Sequence, residues 1–257
     1  MVNRSDAVEP KRARTHSSVP AAAGLWAGTS QLLSLLNGVA PSTVQDLASA
    51  ATTSELPRGA PIYAAGDKCT GLHVVLIGRV KLTLPLSKSA PKVVALLGPS
   101  SWFGEGALFL HERHATGASA VERTALAHIP AVVVLHCLKN DSAFAVRMLA
   151  ETSRRLRIPM FESATASSPA RRRVIGFLLD ELVKTQASKG SAEIVLPAVK
   201  RTIASRLSIS GEHLSRVLRE LRLERLIRVD GPQIFVRSVA RLRDAYSAAD
   251  GSRRQAR

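Results

Sequence analysis

Glu212, Ser215, Arg216 and Arg219 stand at i, i+3, i+4 and i+7, a spacing that puts a carboxylate, a hydroxyl and two guanidiniums on one helix face. Such a set can read base-pair edges: a carboxylate accepts from cytosine N4, and a guanidinium bridges guanine O6 and N7. Leu214, Val217, Leu218 and Leu221 occupy the opposite face, and Ile203, Ala204 and Leu207 form an earlier apolar block. The polar turn Ser208-Ile209-Ser210 separates the two blocks, so the stretch from Leu196 to Val236 is predicted to hold a helix-turn-helix. Its second helix can enter a DNA major groove, with Lys200, Arg201, Arg206, His213 and Arg219 as candidates for backbone or flanking contacts. The plainer reading, a Glu212–Arg216 surface pair worth about 0.2–0.5 kcal/mol, accounts for neither the turn nor the charge of the chain. A second cluster, His111-Glu112-Arg113-His114, invites a zinc reading, but its imidazoles are one residue too close for His-Glu-x-x-His.

The elements that must position these residues follow from composition and pattern. The 257 residues carry 36 Lys and Arg against 20 Asp and Glu, a formal charge of +16, which draws the chain to polyanions. Double-stranded DNA is the simplest partner. No apolar run approaches the roughly 20 residues that span a bilayer, so no membrane role is expected. Two cysteines, Cys69 and Cys137, give neither a disulfide framework nor a Cys-x-x-Cys site, and a cytoplasmic location is expected.

Along the chain, Lys11, Arg12 and Arg14 mark a flexible basic tail over 1–24. Leu32, Leu33, Leu35, Leu36 and Val39, then Val44, Leu47 and Ala48, predict two short helices, the second starting near Pro41. Short apolar runs follow at 61–63, 72–77, 79–84, 93–97 and 125–129, punctuated by glycines, and predict a compact β-sandwich or roll. Residues 131–157 return to helical spacing, with Ala145, Leu149, Thr152 and Leu156 on one face as a dimerisation surface; Pro159 is expected to kink or end that helix. Glu162 to Ser168 reads as a linker or frayed turn, and Ser168-Pro169 as a helix start. The runs 226–229 and 233–236 around Asp230-Gly231-Pro232 predict a hairpin, which beside a helix-turn-helix is a wing. The organisation is thus α+β: a β-roll domain with N-terminal helices over 25–135, able to hold a small molecule or to serve as a dimer scaffold, a candidate dimerisation helix and hinge over 136–167, a winged helix-turn-helix over 168–246, and a polar tail over 247–257.

This order resembles the Crp/Fnr family of bacterial transcription regulators. Gly78-Arg79-Val80-Lys81-Leu82 resembles the family's sGxVkL strand, and Leu97 to Glu105, LGPSSWFGE, resembles its lGpGdxFGE segment. Leu196-Pro197-Ala198, Ile203 to Leu207 and Glu212-His213-Leu214-Ser215-Arg216 are similar to the Fnr and Dnr branches. The resemblance implies a homodimer on palindromic DNA that contacts RNA polymerase and responds to a small-molecule effector in a cyclic-nucleotide-binding-like roll. It gives Glu212, Ser215 and Arg216 the pattern by which Fnr-like members read TTGAT-type half-sites, and Gly211, where Crp-like members have arginine, favours that operator over a Crp-like one.

In cyclic-nucleotide-binding relatives a glutamate after Phe-Gly holds the ribose and an arginine nine or ten positions on clamps the phosphate. Glu105 matches the first, within Gly104-Glu105-Gly106; His114 takes the arginine's place, with Arg113 beside it and Thr116 two residues beyond His114. Histidine lacks the permanent bidentate charge of a guanidinium, which weakens the cyclic-nucleotide reading and leaves a cyclic dinucleotide or haem as further effectors. For haem, His73, His111, His114, His128 and His136 offer imidazoles; two cysteines fall short of the four an iron–sulfur cluster needs, so no iron–sulfur cluster is expected. An effector-independent DNA-binding regulator is the alternative. A cupin-like metal enzyme with a DNA-binding appendage is the reading from a different class, and the sequence lacks the cupin histidine spacing.

Overall fold

The computed structural model describes residues 36, 38–87, 89–165, 168–184 and 190–251, with 89, 154–165, 184, 250 and 251 described by backbone alone. The basic tail and most of the first expected helix lie outside the described residues. The second expected helix is α1 (Pro41–Ala50), with proline in its first turn, where the missing amide has no helical partner to lose.

Eight strands then build a roll: β1 (Thr52–Leu56), β2 (Pro61–Tyr63), β3 (Gly71–Ile77), β4 (Val80–Leu86), β5 (Ser89–Leu97), β6 (Trp102–Phe103), β7 (Gly117–Ala120) and β8 (Thr124–Pro130), with α2 (Glu105–Leu110) between β6 and β7. They form two four-stranded sheets, ordered β1-β8-β3-β6 and β2-β7-β4-β5. The alternation of β3 sorts two apolar layers. Leu72, Val74 and Leu76 pack with Leu47, Trp102, Val134, Phe144 and Met148 under the helices, whereas Val75 meets Val80, Leu97, Phe103 and Leu126 between the sheets. The runs that predicted five strands missed β1 and β7, which are short and rich in Thr, Ser, Gly and Ala, and β6, which is only the pair Trp102-Phe103.

The single helix expected over 131–157 is corrected. The break falls at Asp141, between α3 (Ala131–Asn140) and α4 (Ser142–Thr165), and α4 runs on through Pro159 and the residues 162–165 read as linker. Asp141 has extended backbone, and its carboxylate accepts from the Phe144 amide at 3.0 Å and the Ala40 amide at 2.9 Å, satisfying donors that a helix start leaves bare. Proline removes one amide donor, and the rest of the 24-residue hydrogen-bond ladder continues around it.

Those bonds, from Phe144 first and Ala40 second, hold the Asp141 carboxyl below its ordinary 3.8. A lowered native value means the stabilisation is complete above 3.8 and fades as pH falls through the native value. Asp141→Asn is therefore expected to melt below wild type at pH 7, and the gap to narrow in thermal melts taken below that value.

The C-terminal part comprises α5 (Ala170–Lys184), β9 (Ala192–Val195), α6 (Lys200–Arg206), α7 (Gly211–Leu223), β10 (Ile227–Asp230), β11 (Gln233–Val236) and α8 (Val239–Gly251). It has its own core, in which Val174, Leu178, Ile203, Leu214, Leu218, Leu221 and Ile234 are buried. The β10–β11 wing pairs Asp230 with Gln233 across Gly231-Pro232, and β9 adds a third strand to it. α5 starts at Ala170, one residue later than Ser168-Pro169 predicts, and α8 carries helix into 247–251, residues read as polar tail.

Candidate nucleic-acid interface and effector site

The recognition helix forms because its polar and apolar residues separate cleanly and its first turn is capped. Leu214, Val217, Leu218 and Leu221 are buried, and the Ser210 hydroxyl accepts from the His213 amide at 3.1 Å. Ser208, in the turn before it, takes the left-handed conformation at φ 54°. Glu212, Ser215, Arg216 and Arg219 are all exposed on one face. Among the described residues neither Glu212 nor Arg216 makes an ion pair, so the plainer surface-pair reading is not what the helix shows. Ser215 donates its hydroxyl back to the Gly211 carbonyl at 2.9 Å, leaving its oxygen lone pairs free to accept.

Lys200 and Arg201 are exposed on α6, while His213 is half-buried. Arg206 is corrected as a backbone contact: it is 9% exposed, and its guanidinium lies 5.9 Å from the Phe177 ring centre, inside the domain. Two residues not singled out from sequence brace the unit. Arg171 forks onto both carboxylate oxygens of Glu224 at 2.7 and 2.6 Å, tying α5 to the end of α7, and Arg173 reaches the Ser208 carbonyl at 3.5 Å. The run Arg171-Arg172-Arg173 was the visible signal, but sequence does not show which side of α5 faces the turn.

In the roll, Gly104 has φ 95° and starts α2; a Cβ there would lie 3.1 Å from the Gly71 carbonyl oxygen and 3.5 Å from His114 Cε1. Only glycine suits that conformation and that gap. Glu105 follows half-buried, Gly106 is exposed and Thr116 is half-buried.

The pair expected to meet a phosphate is split. His114 is 5% exposed and stacks face to face on Tyr63, ring centres 3.7 Å apart. Its amide donates to the Asp67 carbonyl at 2.9 Å and its carbonyl accepts from the Gly66 amide at 2.7 Å. Burial lowers its pKa below 6.5, with Asp67 opposing, so the ring is neutral at pH 7. Arg113 instead points outward, donating to the Gly66 carbonyl at 2.8 Å. His73 sits behind His114, stacked on Phe103 at 5.0 Å and flanked by Tyr63 at 5.6 Å and His128 at 4.8 Å. Burial first, then the neighbouring His128 and His114, push the His73 pKa down to about 3.

Residues 53–141 match the model of the cyclic nucleotide-binding domain, and residues 172–245 that of the Crp-like helix-turn-helix domain. The chain is a Crp/Fnr-family transcription regulator. It is 29% identical over 211 residues to the cyclic AMP receptor protein of Thermus thermophilus, covering 82% of this chain and 95% of that one. A CRP-like cAMP-activated global transcriptional regulator of Mycobacterium tuberculosis is 20% identical, with 81% and 94% covered. The structure of FixK2 from Bradyrhizobium japonicum shares the fold, with a TM-score of 0.67 at 24% identity, covering 76% of this chain and 96% of that one. Crp-like regulators bind DNA and are dimers, and this regulator carries their helix-turn-helix domain. Among the described residues no helix is long and apolar enough to cross a membrane.

Proposed function

We propose that this regulator acts in the cytoplasm as a homodimer that reads a palindromic TTGAT-type site through Glu212, Ser215 and Arg216, contacts RNA polymerase, and does so without a cyclic nucleotide in its roll. The observation that carries the DNA reading is the exposed polar face of α7, with Lys200 and Arg201 beside it for phosphates. Dimerisation is supported by Val146 and Leu149, 63% and 67% exposed on α4 while Phe144 and Met148 of the same helix are buried in the roll. Of the face expected from sequence, Ala145 and Thr152 are half-buried, and the Leu156 side chain lies outside those described.

The roll does not fit a cyclic phosphate. His114, in the clamping position, is neutral and stacked inward, and Arg113 is engaged outside. Haem is less well supported: His114 is buried, His128 Nε2 is bonded to Thr70 at 3.0 Å, His111 and His136 lie on the surface, and His73 is walled in by Tyr63, Phe103 and His128. Effector-independent DNA binding is therefore the reading the geometry favours. A TTGAT-N4-ATCAA duplex is expected to outcompete random DNA in a gel-shift titration, and added cyclic AMP to change neither the affinity nor the melting temperature. Equal competition by random DNA would sink the operator reading; a cyclic-AMP-dependent gain would sink the effector-independent one.

A further inference from the structure

Among the described residues the roll meets the DNA-binding domain at an edge strand, β5. β5 lies at the margin of its sheet, ordered β2-β7-β4-β5, so amides on its outer side have no strand to pair with. One of them does find an acceptor: the Val93 amide donates to the Ser205 hydroxyl on α6 at 3.1 Å, across 112 residues of sequence. Val93 is 5% exposed despite its place at the margin.

Two further features place this bond. The pairing of β4 with β5 shifts register between Leu82 and Thr83, where Val94 is left without a partner and Thr83 faces Val93. On its other side Thr83 faces Gly117, which directly follows the segment from Gly104 to Thr116. A single row across the sheet, Gly117, Thr83, Val93, thus ends on Ser205 of the helix-turn-helix. With this contact made, Lys200, Arg201, Glu212, Ser215, Arg216 and Arg219 all remain exposed, so the docked arrangement leaves the DNA-reading face open.

We propose that Ser205 is a positioning residue for DNA reading: through the Val93 amide it docks the helix-turn-helix on the β4–β5 hairpin of its own subunit and sets the angle at which α7 meets the groove. The proposal rests on α7 being the DNA reader. Holding both recognition helices of a dimer at a fixed angle lowers the ordering cost of engaging two half-sites at once.

The test uses the full-length protein and the TTGAT-N4-ATCAA duplex in anisotropy titrations at several salt concentrations, together with hydrogen exchange. Ser205→Ala is expected to bind about threefold to tenfold more weakly, the size of one lost hydrogen bond, with the salt dependence unchanged because no phosphate contact is removed. Ser205→Thr, which keeps the hydroxyl, is expected to restore binding. Without DNA, exchange at the Val93 amide should rise in Ser205→Ala while protection in α5 and α7 stays as in wild type. Wild-type affinity in Ser205→Ala, a shallower salt dependence, or unchanged Val93 exchange would each overturn the proposal. The exchange arm needs no DNA, so a failed operator reading leaves it standing and is told apart from a failed dock.

Discussion

Arg216→Ala is expected to weaken binding to the palindromic site by about 30-fold or more while leaving affinity for random DNA nearly unchanged. A bidentate guanidinium on a guanine edge is worth about 1–3 kcal/mol of discrimination, and a dimer makes the contact in both half-sites. The side chain is exposed, lies on the helix face opposite the buried leucines, and has no acidic partner among the described residues, so it is free to make that bond. Competition titrations against duplexes substituted at each position of TTGAT locate the base it reads, because preference should relax there and nowhere else. Lys200→Ala gives the contrasting outcome, weakening all sequences alike and flattening the salt dependence by about two units of slope, one for each subunit. Unchanged site preference in Arg216→Ala would show that α7 does not read the bases.

Leu221→Ala is expected to destabilise the DNA-binding domain by about 2–5 kcal/mol. Leu221 is fully buried on the inner side of α7, in the core it shares with Val174, Leu178, Ile203 and Ile234. Truncation leaves a void among α5, α6 and the wing, and close-packed interiors relax only in part. The roll has its own apolar layers around Trp102, Phe103 and Phe144, so it should keep its stability. Urea titration followed by far-ultraviolet circular dichroism is expected to show an early step for the DNA-binding domain and a later one for the roll. A single transition at the wild-type midpoint would mean that α7 carries none of that core.

The recognition helix was legible in sequence for a physical reason. Its 13 residues are amphipathic with a clean 3.6 period, and Ser210 caps them from a neighbouring position, so local information suffices. The roll was less legible. β1, β6 and β7 are only five, two and four residues long, too short for a readable alternation, and take strand form through partners such as His128, Val74 and Leu82, far away in the chain. The helix break was misplaced because Pro159 is a strong local signal that outweighed Asp141, whose local cap on the Phe144 amide is joined by the distant Ala40 amide only in the folded chain.

The same division runs through the site residues. Sequence alone determined that the chain is a basic, two-part regulator with Glu212, Ser215 and Arg216 on one helix face, since residue type and spacing fix which side chains share a face. Only the tertiary structure decided which charges are available. It turned Arg206 inward over Phe177, separated Arg113 from His114, made His114 a neutral ring under Tyr63, and joined Val93 to Ser205. Burial and long-range contact set those outcomes, and neither is encoded in the spacing of neighbouring residues.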